Sequence, residues 1–430
     1  MKNQSYGFAA MLAVVGLASL VSSCATRVSA PVSAGLIPPI AGAKTLAAFD
    51  ARVAFSRARL PAISAAAEAA AARVVAHTNA LITVPYADQP SFAEEILSRA
   101  GGLANSLPIE DRATVKATPN DILLFSVRSW EKDRAKALQH VAAAHSQGSL
   151  TVLFASRAGM PEGLQPEFIV DNGAAGGGED EAPINAIANA MNAWLWSCEY
   201  AGALMRHGKA PPVLKSICLP DWQAHNGPIT TPAGRLTLLD CDKPAARGAL
   251  AGVYLQAVDR LARGLRDEPF QRELTRAADL IAPRMAAGGK VGVATCTHVA
   301  MQEIFLNNAA PWKPFNVVWQ ARTAFTSNIG RDDMLFWIGY VGMSTEFEDY
   351  AKYIRATKAP FVATYVPDSN PTNNAPDAAV LIPQLWRIGD AVVDVPFPPG
   401  RMAPVSGLNV GLLYRMLDEA VAERLPKKGE

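Results

Sequence analysis

The sequence predicts an α/β protein built as two tandem three-layer αβα sandwiches, each around a parallel sheet. Short apolar runs alternate with helical segments along the chain, a pattern typical of parallel sheets covered by helices on both faces. The same order of elements occurs twice. The strand beginning at Asp121 is matched by one at Asp333, 333 − 121 = 212 positions later, and Glu95 is matched by Glu303 after 303 − 95 = 208. This near-constant offset indicates two copies of one unit.

The elements of the first copy follow from composition and periodicity. An alanine-rich segment without glycine favours a helix, and short apolar runs with β-branched residues favour buried strands. A glycine pair after the second helix is typical of a helix end. The predicted elements are helix 47–76, strand 80–84, helix 91–99, strand 121–126, helix 131–145, strand 150–154 and strand 168–171.

The second copy repeats this order. Its first helix is followed by Gly288 and Gly289, the same end signal as in the first copy. Because strands and helices alternate in the same way, a ligand is expected at the carboxyl ends of the strands in each copy. The predicted elements are helix 270–287, strand 291–294, helix 299–306, strand 333–338, helix 346–357, strand 360–364 and strand 391–394.

The N-terminal residues predict export and a lipid anchor. Lys2 precedes an apolar run from Phe8 to Leu20, which suits a signal peptide and is too short for a spanning helix. The following Val21-Ser22-Ser23-Cys24 resembles the bacterial lipobox, in which the cysteine is diacylated; an ordinary secretory signal with an incidental Cys24 is the alternative. The predicted organisation is a lipoprotein signal peptide (1–23), a flexible tether (24–44) and two α/β domains (45–240 and 245–430). The chain is therefore expected to be exported and anchored to a bacterial membrane, on its periplasmic or cell-surface side.

Composition excludes some classes of partner. Half of the residues are hydrophobic and 18% are charged, so the chain can build sizeable cores. Removing the segment before Cys24 leaves 40 − 1 = 39 basic and 39 acidic residues, and this balance argues against nucleic acid. The remaining cysteines show no CxxC or Cys/His metal spacing. They are expected to be buried thiols, although an oxidising compartment would permit a disulfide between Cys218 and Cys241.

Several stretches resemble the sugar isomerase (SIS) family, and those of the first half resemble its UPF0309 group. The resemblance implies a flavodoxin-type topology, a sugar or amino-sugar derivative as ligand, and isomerisation or ether cleavage in some members. SIS-like proteins also commonly pair, which makes a homodimer an expectation here. The stretches are 92–103, 120–129, 168–172 and 185–212 in the first half, and 288–303 and 332–364 in the second.

The phosphate-binding loop of the SIS family has the form SxSGxT after the second strand. Its hydroxyls, backbone amides and helix N-terminus together satisfy a dianion. In the first copy the loop contains Ser126, Arg128 and Ser129 but lacks the glycine. Arg128 could still hold an anion through its bidentate guanidinium, or it could be a solvated surface residue. The preceding turn, with Asp88, is expected to repel phosphate.

In the second copy the loop keeps the glycine, Gly342, but not the two leading serines. Ser344 and Thr345 could contact the ligand or cap the helix at Glu346, and the cap is the favoured role for Ser344. The earlier turn keeps two hydroxyls, at Thr295 and Thr297. The resemblance therefore implies ligand-binding residues in both copies, with eroded phosphate loops.

Three residues are candidates for moving protons in an aldose–ketose isomerisation. Glu95 and Glu303 lie on the helix after the first strand of each copy, and His298 lies near the strand end in the second. A carboxylate pair or a Glu–His pair suits general acid–base chemistry. An exposed helix face for Glu95 and a half-buried, satisfied imidazole for His298 are the structural alternatives.

A helix in the middle of the chain places three asparagines on one face. Asn185, Asn189 and Asn192 recur at spacings of four and three, beside Trp194 and Trp196. Indoles next to amides suit a carbohydrate ring. A buried helix interface explains the same residues and is favoured, because the segment is too apolar to face water.

The leading functional hypothesis is an extracytoplasmic lipoprotein that binds a carbohydrate derivative through a SIS-like fold. An active sugar or amino-sugar (phosphate) isomerase or lyase is one alternative. A non-catalytic scaffold that retains the fold is another. The sequence contains no motif for a cofactor or a metal, and none is expected. Resemblance of fold does not by itself deliver an activity.

Overall fold

A computed structural model describes residues 40–426 except 98, 114–117, 177, 296–329, 342–355, 357 and 369–376. Within these residues the chain forms two parallel sheets with helices packed against them. The α/β fold class predicted from the alternating pattern is therefore confirmed.

The first sheet has five parallel strands in the order β2-β1-β3-β4-β5. This order is that of flavodoxin-type folds, in which ligands bind where the connections leave the first strand in opposite directions. Four of the strands were predicted. The fifth, β2, is a three-residue edge strand whose sequence Ser-Leu-Pro gives no apolar run. The strands are β1 Ile82–Val84, β2 Ser106–Pro108, β3 Ile122–Ser126, β4 Leu150–Ala155 and β5 Phe168–Asp171.

A short antiparallel pair follows, formed by β6 (Lys209–Ala210) and β7 (Leu239–Asp240). The second sheet then has four parallel strands in the order β11-β10-β9-β8. They are β8 Val291–Thr295, β9 Met334–Val341, β10 Phe361–Tyr365 and β11 Val380–Pro383.

The two sheets repeat one strand order. The neighbours β1-β3-β4-β5 of the first sheet correspond to β8-β9-β10-β11 of the second. The strand starts are offset by 291 − 82 = 209, 334 − 122 = 212, 361 − 150 = 211 and 380 − 168 = 212 positions. The sequence offset of 208 to 212 thus agrees with the positions of the strands.

One strand of the second copy lies outside the parallel sheet. The predicted strand 391–394 is β12 (Ala391–Asp394), but it pairs antiparallel with β13 (Arg401–Pro404) in a hairpin. The edge position of the parallel sheet is taken by β11, which the sequence pattern did not indicate. An apolar run in the sequence indicates that a strand is buried, but it does not indicate which strand will pair with it.

The helices cover both sheets. The single helix predicted over 47–76 is wrong in one respect: it is two helices, interrupted at Arg59, because Pro61 in the first turn of the second has no N–H to continue the first. The predicted helices 299–306 and 346–357 lie almost entirely outside the described residues. Those described are α1 Ala43–Ala58, α2 Leu60–Ala76, α3 Pro90–Ile96, α4 Trp130–Gln147, α5 Ala182–Arg206, α6 Trp222–Thr230, α7 Pro232–Arg235, α8 Ala249–Gly264, α9 Glu268–Ala286 and α10 Ser406–Ala422.

Helix α5 is the centre of the core. It is buried on all sides from Ile187 to Met205 and contacts α2, α8, α1, α3 and α10. Trp194 and Trp196 are fully inaccessible to solvent. The expected buried helix interface is thus formed by the chain's own helices, so neither indole is left to stack on a sugar or to require a second subunit.

The first and last described helices are joined by a carboxylate. Glu419 of α10 accepts hydrogen bonds from the backbone N–H of Lys44 (2.9 Å) and Thr45 (2.9 Å) at the start of α1. It also accepts one from the Thr45 hydroxyl (2.8 Å). These contacts satisfy amides that have no partner within α1, and a negative charge there is favoured by the helix dipole.

The described cysteines are free thiols. Cys198 is buried in α5, as expected, whereas Cys218 is exposed and Cys241 is half-buried. No disulfide joins Cys218 to Cys241, so the fold that the structure describes is held together without that bond.

Candidate functional site

The candidate site lies at the carboxyl ends of β1 and β3, the point at which connections leave the first sheet in opposite directions. The loop after β1 runs from residue 85 to Gln89, and the loop after β3 comprises Val127, Arg128 and Ser129. In parallel sheets of this order the crevice between two such loops is the usual ligand site. Three residues predicted for the first copy, Ser126, Arg128 and Ser129, are brought together here.

The N-terminus of α4 is occupied by a carboxylate from the chain itself. Asp133 Oδ2 accepts hydrogen bonds from the backbone N–H of Arg128 (3.0 Å) and of Ser129 (3.3 Å). Its other oxygen, Oδ1, lies 3.3 Å from Arg128 Nη2. These are the backbone amides and the guanidinium that the sequence offered to an anionic ligand. Arg128 is therefore paired with Asp133 and is neither an open anion site nor a solvated surface arginine.

Two asparagines of α5 donate hydrogen bonds to the end of β3 and to the loop that follows it. Asn189 Nδ2 donates to Ser126 Oγ (3.0 Å) and to the carbonyl of Val127 (2.9 Å). Asn185 Nδ2 donates to the carbonyl of Arg128 (3.0 Å). Their four-residue spacing was visible in the sequence. Their role is to satisfy buried backbone, which would otherwise lose a hydrogen bond.

Gln89 was missed by the sequence analysis. Its side chain is 3% exposed, and its Oε1 accepts a hydrogen bond from the backbone N–H of Ser126 (2.6 Å), which ties the two loops together. Within the described part of the chain, Gln89 Nε2 and Ser129 Oγ are buried without a hydrogen-bond partner. A buried polar atom left unpaired costs about 1–3 kcal/mol. Two such atoms between the loops are therefore unused hydrogen-bonding groups at the strand ends.

Asp88 in the loop after β1 is also paired. It lies 2.8 Å from Lys136 Nζ and 2.7 Å from His140 Nε2, both on α4. The hydrogen bond from Lys136 is the main reason that the pKa of the Asp88 carboxyl lies below its usual value. The repulsion of phosphate expected from Asp88 is thus offset by Lys136. The contact of His140 with Asp88, 52 residues away in the chain, was not apparent from the sequence.

Glu95 belongs to a different polar cluster. It is 1% exposed and forms a buried ion pair with Arg99, four residues later on the chain. Trp194 Nε1 donates a hydrogen bond to its Oε1 (2.8 Å). The expectation of an exposed helix face for Glu95 is wrong, because the α3 face that carries it is covered by α5.

A second carboxylate completes this buried cluster. Arg99 Nη2 lies 3.2 Å from Asp390 Oδ2, and the hydroxyl of Ser406 contacts both Arg99 and Asp390. Ser406 and Gly407 begin α10, so two carboxylates from distant segments meet one guanidinium at a helix N-terminus. Burial raises the pKa of Asp390. Desolvation of its charged form outweighs the attraction of Arg99.

Of the site residues predicted for the second copy, Thr295 alone lies within the described ranges. Thr295 is the last residue of β8 and therefore lies at the carboxyl edge of the second sheet. The other predicted residues lie outside the described residues: His298, Glu303, Thr297, Gly342, Ser344, Thr345 and the lipidation candidate Cys24.

Known proteins offer similarity in structure only. No family model matches the chain, and no curated protein is similar to it. A protein from Salmonella typhimurium LT2 provisionally described as sugar-binding is 9% identical, with a TM-score of 0.49, and the match covers 88% of this chain and all of that one. The tagatose-6-phosphate ketose/aldose isomerase of Escherichia coli is 10% identical, with a TM-score of 0.45 and coverage of 89% and 92%. The C-terminal domain of the glucosamine-fructose-6-phosphate aminotransferase of Francisella tularensis is 6% identical, with a TM-score of 0.42 and coverage of 87% and 95%. At these identities no residue's role can be transferred.

We predict that Gly407→Ala destabilises the protein, by about 1–3 kcal/mol. A Cβ at this position would fall on the carboxylate of Glu95, which has no room to move. The control is Gly252→Ala in α8, where a Cβ meets nothing within 4 Å. Alanine is the better helix former, so the control should gain about 0.5–1 kcal/mol. Urea denaturation measures both, and equal changes of the same sign would contradict the close packing at Glu95.

We also predict a pH dependence that originates in Asp390. Because its folded pKa is raised, the folded state holds a proton that the unfolded state loses above about 3.9. The free energy of unfolding should therefore fall as the pH rises from that value to the folded pKa. Asp390→Asn should remove this contribution. The free energy of unfolding of the wild type should therefore fall relative to that of the variant as the pH rises.

Denaturation at several pH values measures this difference. Asp394→Asn, at the exposed end of β12, controls for the loss of one negative charge. A constant difference between wild type and Asp390→Asn across the acidic range would show that Asp390 titrates alike in both states.

Proposed function

We propose that this chain binds a carbohydrate derivative at the carboxyl ends of β1 and β3, and that it recognises hydroxyl groups there without needing a phosphate. The observation that carries the proposal is the position of Asp133, whose carboxylate already occupies the amides of Arg128 and Ser129. A phosphate brought to the same amides would meet a like charge, which is strongly disfavoured at short range.

The uncharged groups around the same loops support a hydroxylated ligand. Gln89 Nε2 is a donor, and Ser129 Oγ is both donor and acceptor; both are buried without a partner among the described residues. Both atoms are closed to solvent in this arrangement of the loops, so the proposal requires the two loops to separate when a sugar hydroxyl pairs with them. The resemblance of this loop region to SIS proteins supports a carbohydrate as the source of those hydroxyls.

The geometry of the first copy does not favour catalysis by Glu95. Its carboxylate is enclosed by Arg99, Trp194 and the start of α10. A general base must come within about 3 Å of the proton that it abstracts, and this carboxylate has no open side for a substrate. An isomerase would therefore depend on His298 and Glu303 of the second copy.

A panel of ligands tests the proposal by thermal shift and calorimetry: free sugars, amino sugars, cell-wall fragments and sugar phosphates. A ligand at 100 times its Kd adds about 2.7 kcal/mol of apparent stability. We expect stabilisation by neutral sugars or their amino derivatives and a loss of that response in Ser129→Ala. Stabilisation by sugar phosphates alone would refute the proposal, and no response to any class would favour a scaffold.

We predict that Asp133→Ala raises the affinity for a sugar phosphate by at least about tenfold, because it frees the two backbone amides that Asp133 now occupies. The matched control is Glu131→Ala in the same first turn of α4, an exposed acidic residue. It removes an equal charge near the helix terminus without freeing those amides. Titration of glucose 6-phosphate into both variants separates the two effects, and equal gains would show that only the net charge matters.

We further propose that the chain is exported and tethered to a membrane through lipid on Cys24. The apolar run and the lipobox-like Val21–Cys24 support this. Among the helices that the structure describes, none has the length and apolar character needed to cross a bilayer.

Labelling with radioactive palmitate in a bacterial host tests the anchor. We expect incorporation into the wild-type chain and none into Cys24→Ser. Cys218→Ser, which removes an exposed cysteine of the folded part, should keep the label. Label that persists in Cys24→Ser would show that the lipid is attached to another residue.

A further inference from the structure

A second cavity lies between α8 and the loop that joins β11 to β12. Its volume is about 360 Å³, within the range of small-molecule sites. Apolar side chains form part of its wall, among them Leu261, Leu385 and Trp386. The cavity thus has the size and the partly apolar lining of a site for a monosaccharide-sized molecule.

Asp390 of the buried cluster also lines this cavity. Its side chain is only 9% exposed, and its Oδ2 is fixed by Arg99 and Ser406. Burial raises its pKa. A carboxyl that is held rigidly in a cavity with a perturbed pKa is typical of functional sites, although the contact with Arg99 alone would suit a structural role.

Three arginines also line the cavity: Arg260 on α8, Arg387 in the loop and Arg401 at the start of β13. Arg401 Nε lies 2.9 Å from Asp394, and Arg387 Nη1 lies 3.7 Å from Asp368, so acidic neighbours offset two of the charges. The side chain of Arg260 is exposed and makes no ion pair or hydrogen bond with any residue in the described ranges. Its guanidinium is free to supply the planar fork that matches a carboxylate.

We infer that this cavity is a binding site for a small hydroxylated carboxylate of the sugar-acid class. The unpaired guanidinium of Arg260 binds the carboxylate of the ligand, and the carboxyl of Asp390 forms a hydrogen bond with a hydroxyl of the ligand. The apolar wall at Trp386 and Leu261 covers the carbon skeleton. A purely inorganic anion would leave the apolar wall uncovered. The site is separate from the strand-end site of the first sheet and does not depend on the function proposed for that site.

Calorimetric titration of the full chain tests the inference with D-glucuronate, D-glucose and inorganic phosphate as probes. Glucuronate and glucose differ mainly in the carboxylate. We expect glucuronate to bind at least about tenfold more tightly than glucose, and Arg260→Gln to weaken glucuronate binding at least about tenfold. The control is Arg263→Gln on the same helix, an exposed arginine that does not line the cavity. It should change the affinity less than about twofold, as expected for a distant exposed charge.

Several outcomes would overturn the inference. Equal losses in Arg260→Gln and Arg263→Gln would show that only overall charge attracts the ligand. Phosphate that displaces glucuronate and itself depends on Arg260 would reduce the cavity to a general anion site. Glucuronate binding that is lost in Ser129→Ala but unchanged in Arg260→Gln would belong to the site of the first sheet. No measurable glucuronate binding would exclude the sugar-acid class.

Discussion

The buried guanidinium of Arg99 is the interaction that joins the two halves of this fold. It pairs with Glu95 from the first copy, where both side chains are 1% exposed, and with Asp390 from the second copy, 291 residues after Arg99, whose side chain is 9% exposed. A buried ion pair adds little net stability, but removal of one partner costs about 3–5 kcal/mol because a charge is then left uncompensated. Gly407 makes room for this arrangement, and the N-terminus of α10 adds a further positive potential. The packing of α3, α5 and α10 therefore depends on the positive charge of the Arg99 side chain.

Much of the fold could be predicted from local patterns. Apolar runs gave β3, β4 and β5 to within one residue, and the repeated offset gave the correspondence between the two sheets. The features of the fold that were not predicted have no local signal in the sequence. The edge strand β2 has no apolar run, and the pairing of β12 with β13 depends on a partner that periodicity does not specify. The division into two domains stays a prediction, because α5 lies in one core shared by both halves.

The candidate site was predicted less completely for a similar reason. The loop after β3 was identified from the sequence as a candidate ligand site, since strand ends collect ligands in this fold class, and this stays a prediction. The roles of its residues were not apparent, because they depend on side chains that turn inward. Asp133 is in the first turn of α4 and looks like any acidic residue at a helix start, yet its bonds to two amides decide which ligands fit. Gln89 and Ser126 are 37 residues apart, and only the folded chain shows that they touch.

The contact between Glu419 and the start of α1 has a consequence for the order in which the chain can fold. The amides of Lys44 and Thr45 are satisfied by a residue that is synthesised about 375 positions later. Until that carboxylate arrives, the first helix has an uncapped end, and the part of its surface that packs on α10 stays uncovered. Closing such a long loop has a large entropic cost and slows assembly. The start of α1 should therefore lack these hydrogen bonds until α10 has left the ribosome.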